Sequence, residues 1–150
     1  MWPDERVARF VTEHFMTARV HVKDDPADFR KYGEKYGAQW TPTILELDSD
    51  GTERHRIEGF LPVEDFLPQL MLGLAHMAFK AERWDEAEKY FHEVAEKHPR
   101  SDSAAEALYW GGVARYKKTR DAGALRETAR AFDHRYSDSP WAKRASVWKA

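Results

Sequence analysis

Trp40-Thr41-Pro42-Thr43-Ile44-Leu45-Glu46-Leu47-Asp48-Ser49-Asp50-Gly51 is the stretch on which the fold turns. Thr43 to Leu47 is a β-rich run whose apolar content is Ile44, Leu45 and Leu47. Asp48-Ser49-Asp50-Gly51 then supplies a tight hairpin turn, with acids that bond locally and a glycine that accepts positive φ at no steric cost. Glu53 to Glu58 returns as a second strand, Arg54, Arg56 and Glu58 lying opposite His55 and Ile57. Gly59-Phe60-Leu61-Pro62 ends it. Pro62-Val63-Glu64-Asp65 opens a helix carrying Phe66, Leu67 and Leu70, with Pro68 early enough for its missing N–H to cost little.

Upstream, Pro3-Asp4-Glu5 is a helix opening, because proline suits a first helical position and acids complement the N-terminal dipole. Val7, Phe10, Val11 and His14 or Phe15 follow at helical spacing. Ala18 to Lys23 reads as a strand, with Val20 and Val22 on one face and Arg19, His21 and Lys23 on the other. Asp24-Asp25-Pro26 breaks it, and Pro26 starts a helix carrying Phe29, Tyr32 and Tyr36 to Gly37, a residue suited to the left-handed C-terminal position.

Beyond Leu70 the strand signal stops. The spacing predicts helices over about 64–82, 84–97, 102–118, 122–136 and 140–149, joined by short connections containing Pro99, Ser101, Gly123, Ser137 and Pro140. The fold class expected is α+β: an incomplete α/β sandwich over residues 1–70 and an all-α tail over 71–150.

Composition bounds the function. A hydrophobic share of 42% with 13% aromatics over 150 residues is enough for a core. A charged share of 33% favours exposed helices. With 24 basic and 26 acidic side chains the net charge is −2, which gives no long-range pull toward nucleic acid or an anionic membrane. No apolar run is long enough to span a bilayer, so membrane insertion is not expected. Residues 1–20 lack the apolar core of a signal peptide, so the chain as written reads as cytoplasmic; a natural start further upstream would leave a periplasmic location open. There is no cysteine. Disulfides, cysteine-ligated zinc and thiol nucleophiles are excluded for this chain.

The first half resembles the thioredoxin superfamily. The residues that carry the resemblance are Thr41-Pro42-Thr43-Ile44-Leu45, the Asp48-Ser49-Asp50-Gly51 turn, and Ile57-Glu58-Gly59-Phe60, within a matching stretch of Pro3 to Leu70. The resemblance implies a cis bond before Pro42, and it implies Trp40, Thr41, Pro42 and Gly59 as the face that meets a substrate or peptide. In that family a Cys-x-x-Cys opens the helix matching Val7 to Phe15. A central strand lies between the counterparts of Ala18–Lys23 and Thr43–Leu47. Neither segment is in the sequence, and removing a central strand strands backbone donors and acceptors. Three outcomes stay open: a longer natural chain, favoured because Met1-Trp2-Pro3-Asp4 reads as mid-helix text; a homodimer that exchanges strands; or closure into a smaller sheet.

The second half resembles tetratricopeptide repeats, which are paired helices of about 34 residues. Leu74-Ala75, Phe79, Trp84, Ala87, Phe91 and Pro99 carry the first unit. Gly112, Tyr116, Ala124, Phe132 and Pro140 carry a looser second one. Glu96-Lys97-His98-Pro99-Arg100-Ser101 and Arg135-Tyr136-Ser137-Asp138-Ser139-Pro140 echo each other. The resemblance implies a peptide groove through Gln69, Leu72, His76 and Lys80, while Phe79, Phe91, Tyr116 and Phe132 read as core. Seven histidines form no His-x-x-x-His pair. Glu88, His92 and Glu96 share a helix face and read as a solvated surface before a metal site. No cofactor motif occurs. The expectation is a redox-inactive module that binds a protein or peptide partner. The alternative is the C-terminal portion of a thiol–disulfide oxidoreductase whose Cys-x-x-Cys lies upstream of Met1; in it Thr41 and Pro42 would contact substrate.

Overall fold

The computed structural model describes residues 2–150. Those residues fall into two compact units, one ending at Val63 and the other running from Glu64 to Ala150.

The first unit holds two helices and one hairpin. Helix α1 spans Glu5–His14. Asp4 rather than Pro3 opens it, its carboxylate accepting the Arg6 N–H at 2.8 Å. Val7 and Val11, one turn apart, are the buried residues of α1. The strand expected over Ala18–Lys23 does not form. The His21 ring accepts the N–H groups of Lys23 and Asp24 at 3.3 and 3.2 Å, and the Asp25 carboxylate accepts the His21 N–H at 3.2 Å. These local bonds wind residues 22–24 into a turn, which competes directly with a strand ladder. Helix α2 spans Pro26–Tyr36 and stops at Gly37, φ 64°. It buries no residue. Its C-terminus is tied to the hairpin instead: the Arg56 guanidinium donates to the Tyr36 carbonyl, and the Tyr36 hydroxyl donates to the Gly51 carbonyl at 3.0 Å.

Strands β1, Thr43–Leu47, and β2, Glu53–Glu58, pair antiparallel with Thr43 opposite Glu58 and Glu46 opposite His55. The pairing slips by one residue between Glu46 and Leu47. The turn is closed as the sequence predicts. Gly51 N–H donates to Asp48 O at 3.0 Å, and the Asp48 and Asp50 carboxylates both accept the Thr52 N–H. Gly51 sits at φ 82°, where a side chain is strained. Among the described residues the sheet is two-stranded, so the incomplete sandwich that was expected also lacks the strand at Ala18–Lys23.

From Val63 onward every element is helical: α3 Val63–Lys80, α4 Trp84–Lys97, α5 Ala104–Thr119, α6 Gly123–His134, α7 Pro140–Ala145 and a 3-10 turn, Ser146–Lys149. The predicted ranges agree to within three residues except at the last helix, which changes to 3-10 geometry halfway. Pro68 lies at the sixth position of α3, past the first turn, so it does remove an interior hydrogen bond. Its ring is fully buried.

Aromatic edges organise the packing of α3, α4 and α5. The Phe79 ring meets Trp84 at 5.1 Å and Trp110 at 5.2 Å between centroids, and Phe91 has no exposed surface. Ala75 and Ala87 are also fully buried. A second cluster gathers Ala105, Ala129, Phe132 and Ala145, with Tyr109 stacked on Trp148 at 4.6 Å. Gly112 of α5 and Thr128 of α6 touch so closely that a Cβ on Gly112 would lie 2.1 Å from Thr128 Oγ1. Thr128, one turn beyond Ala124, is therefore the residue that receives Gly112.

The two echoed phrases meet in space. Arg135 donates to Glu96 Oε1 at 2.7 Å and to the Ala95 carbonyl at 2.9 Å, and the Tyr136 hydroxyl donates to the Pro99 carbonyl at 2.6 Å. Truncating Arg135 to alanine removes a charge-assisted pair and a bond that occupies a helix C-terminal carbonyl. The expected loss is about 1–2 kcal/mol in chemical unfolding of the full chain. Arg135→Lys, which keeps the charge but not the two-armed geometry, should recover less than half of it.

Candidate functional site

The Thr41–Pro42 bond is cis, as the resemblance implied. The Pro42 carbonyl accepts the Gly59 N–H at 2.8 Å, which fastens the loop before β1 to the end of β2. Gly59 holds φ 83° there. The Thr43 hydroxyl donates to the Trp40 carbonyl at 2.6 Å and closes the loop from inside. These bonds use the backbone and leave the flanking side chains outward. Trp40 is 69% exposed and Phe60 is 83% exposed. Thr41 and Pro42 are exposed beside them, and Gly59 is half-buried. Two large apolar side chains thus flank a loop pinned at both ends. The loop offers apolar contact area, the Thr41 side chain and backbone carbonyls.

The four residues expected on a repeat groove separate. Leu72 is completely buried and belongs to the core. His76 Nε2 lies 3.1 Å from Glu106 Oε1, and its ring stands edge-on to Phe91 and Trp110. Gln69 is half-buried and Lys80 exposed. A cleft of about 460 Å³ opens elsewhere, walled by α4 and floored by α5, with Glu88, His92, Glu96, Gly111, Arg115 and Thr128 among its lining. Glu96 is held there by Arg135, which keeps its carboxyl below the usual range, and Glu88 lies 3.8 Å from Lys118. Among the described residues no three histidine, aspartate or glutamate side chains group to hold a metal.

One residue escaped the sequence reading. Glu46 is 3% exposed, and neither of its carboxyl oxygens has a hydrogen-bond partner. Burial alone pushes its pKa from 4.5 up to about 9, so the folded protein carries it as the neutral acid at neutral pH. The signal was present: an acid in the middle of Ile44-Leu45-Glu46-Leu47 interrupts an apolar strand. The other acids of the hairpin behave ordinarily. Asp48 pairs with Arg54 at 2.6 Å, and Glu53 and Glu58 pair with Arg56 at 2.7 and 3.0 Å. Hydrogen bonding to Arg56 lowers the Glu53 pKa.

Residues 1–72 match the family model described as a thioredoxin-like domain. The first half of the chain is therefore a thioredoxin-like domain, one whose described residues keep the cis-proline loop and the hairpin. No curated protein and no solved structure matches the chain.

Proposed function

We propose that this chain is a protein-interaction module in which a thioredoxin-like domain without cysteine binds an extended peptide or protein segment at the Trp40–Pro42–Gly59–Phe60 surface. The single observation that carries it is the exposure of Trp40 and Phe60 on a loop held by the Gly59–Pro42 hydrogen bond. Large exposed aromatics are costly in water, and they are typical anchors of binding surfaces. The helical second half, read as two tetratricopeptide-like hairpins, serves as a further scaffold for protein contact. Support for that comes from the Ala75, Ala87 and Phe91 packing, and from the seam between the echoed phrases.

Peptide display against the immobilised full chain tests the reading. Selected sequences should bind the native protein and lose at least about tenfold in affinity to the Trp40→Ala/Phe60→Ser double variant. Selection that yields the same sequences on both proteins removes this surface from consideration. In parallel, the chain, which holds no thiol, should not accelerate insulin reduction by dithiothreitol, and the in-frame sequence upstream of Met1 separates the two readings: a Cys-x-x-Cys there favours the oxidoreductase over this one.

A further inference from the structure

The chain's net charge of −2 hides an uneven distribution. Residues 64–110 hold ten acids against five lysines and arginines, whereas residues 111–150 hold ten lysines and arginines against four acids. Part of this excess is used internally: Lys118 pairs with Asp85 of α4, and Arg135 pairs with Glu96. What is left over gathers on α6. That helix buries Ala124, Thr128, Ala129 and Phe132, and it turns its opposite side to solvent. Arg126, Arg130 and His134 follow one another there, one turn apart and all exposed. The two acids that flank them are already taken by cations from other elements. Glu127 pairs with Arg115 of α5 at 2.6 Å, and Asp133 pairs with Lys149 of the 3-10 turn. Among the described residues neither the Arg126 nor the Arg130 guanidinium has an ionic or hydrogen-bonding partner. Like charges one turn apart oppose the helix that carries them, so this face gains from an arriving anion.

We propose that the outward face of α6 docks an extended, acidic segment of a partner protein, one carboxylate of the segment pairing with Arg126 and the next with Arg130. The spacing matches. Residues four apart on a helix are separated by about 6 Å along its axis, and alternate residues of an extended chain by about 6.7 Å. Acids at every second position therefore fall over successive arginines, and a third falls over the His134 ring, which has a nitrogen to donate. Arginine suits the role because its planar fork meets both oxygens of a carboxylate. A protein segment fits this face better than other polyanions do. The stripe is about 12 Å long, room for two or three anionic groups and short of the roughly six to ten phosphate contacts that hold nucleic acid. It presents neither an aromatic ring for a base to stack on nor an apolar side chain to enter a bilayer. This docking site lies in the helical second half and goes beyond the peptide surface proposed above.

The probe is a short, fluorescently labelled peptide of serine and threonine with glutamate at every second position, titrated into the full chain at pH 7. One comparison peptide carries glutamine in place of each glutamate. A second has the same composition with its glutamates side by side. The alternating peptide should bind at least about tenfold more tightly than the glutamine peptide, and more tightly than the clustered one. Added salt should weaken it. Arg126→Gln/Arg130→Gln should bring its affinity down to that of the glutamine peptide, with no fall in the urea midpoint, because neither side chain holds the fold together. The Trp40→Ala/Phe60→Ser variant should bind it as the parent does, so this site and the loop surface stand or fall separately. Equal binding of the glutamate and glutamine peptides, no binding of either, equal binding of the alternating and clustered peptides, or an affinity that survives loss of both arginines overturns the proposal. So does tighter, arginine-dependent binding of a single-stranded oligonucleotide or of anionic phospholipid vesicles, because the partner would then be of another class.

Discussion

Glu46→Gln should flatten the pH dependence of folding and leave the protein more stable than its parent at pH 8. The folded carboxyl keeps its proton up to about pH 9, whereas the unfolded chain releases it near 4.5. Folding therefore takes up a proton everywhere between those values. The stability tied to this group is complete below about 4.5, and it is lost steadily as pH rises toward 9. One proton corresponds to about 1.4 kcal/mol per pH unit, so the parent should lose roughly 4 kcal/mol between pH 5 and pH 8 through Glu46. Acids held low by arginine, such as Glu53 and Glu96, act with the opposite sign, but they are common to both proteins and drop out of the difference. Urea midpoints at pH 5, 6.5 and 8 read the effect directly. A parent–variant difference that does not change with pH would show that Glu46 ionises freely. Glu46→Leu extends the test, since it removes the unpartnered polar group and should stabilise at every pH.

Gly112→Ala is the second large effect. Alanine normally gains about 1 kcal/mol over glycine inside a helix. Here the new methyl would stand 2.1 Å from Thr128 Oγ1 and 2.8 Å from Thr128 Cβ. Rotating the threonine relieves the first contact but not the second, so α5 and α6 must separate. Overpacking of this kind costs about 1–3 kcal/mol, which outweighs the propensity gain. The expected net result is a loss of about 1–2 kcal/mol in thermal or urea unfolding. Thr128→Gly removes every clashing atom. In the Gly112→Ala background it should cost less than it does in the parent, giving a coupling of at least about 1 kcal/mol in the double-mutant cycle. Additive effects would mean that the helices do not meet at these two residues.

Much of this fold was legible because local chemistry and packing agree. The hairpin followed from Asp48 to Gly51, whose carboxylates and glycine satisfy the turn from within. The second-half helices followed from the helical spacing of apolar residues within each segment, between short breaks marked by Pro99, Ser101, Gly123, Ser137 and Pro140. Ala18–Lys23 was misread because alternation of Val20 and Val22 says nothing about whether a neighbouring strand exists. Once His21 and Asp25 satisfy the backbone locally, the turn wins. At the site, Pro42 and Gly59 were visible through their resemblance to a known loop, and Trp40 through its place beside them. Leu72 was assigned to a groove because helical spacing cannot tell which face of an apolar helix meets solvent. Glu46 passed unnoticed because a single acid in a strand looks like a solvated position until its burial is known.

The order in which the second-half helices pack has a mechanical consequence. α4 packs on α5, α5 on α6 and α7, and α6 on α7, so each helix meets companions one or two steps along the chain. Little loop entropy is lost in bringing such neighbours together, which favours rapid assembly. Tension applied at the C-terminus would meet these neighbour contacts in turn. The tail would peel helix by helix, and the Arg135–Glu96 and Tyr136–Pro99 seam would mark the step at which resistance rises.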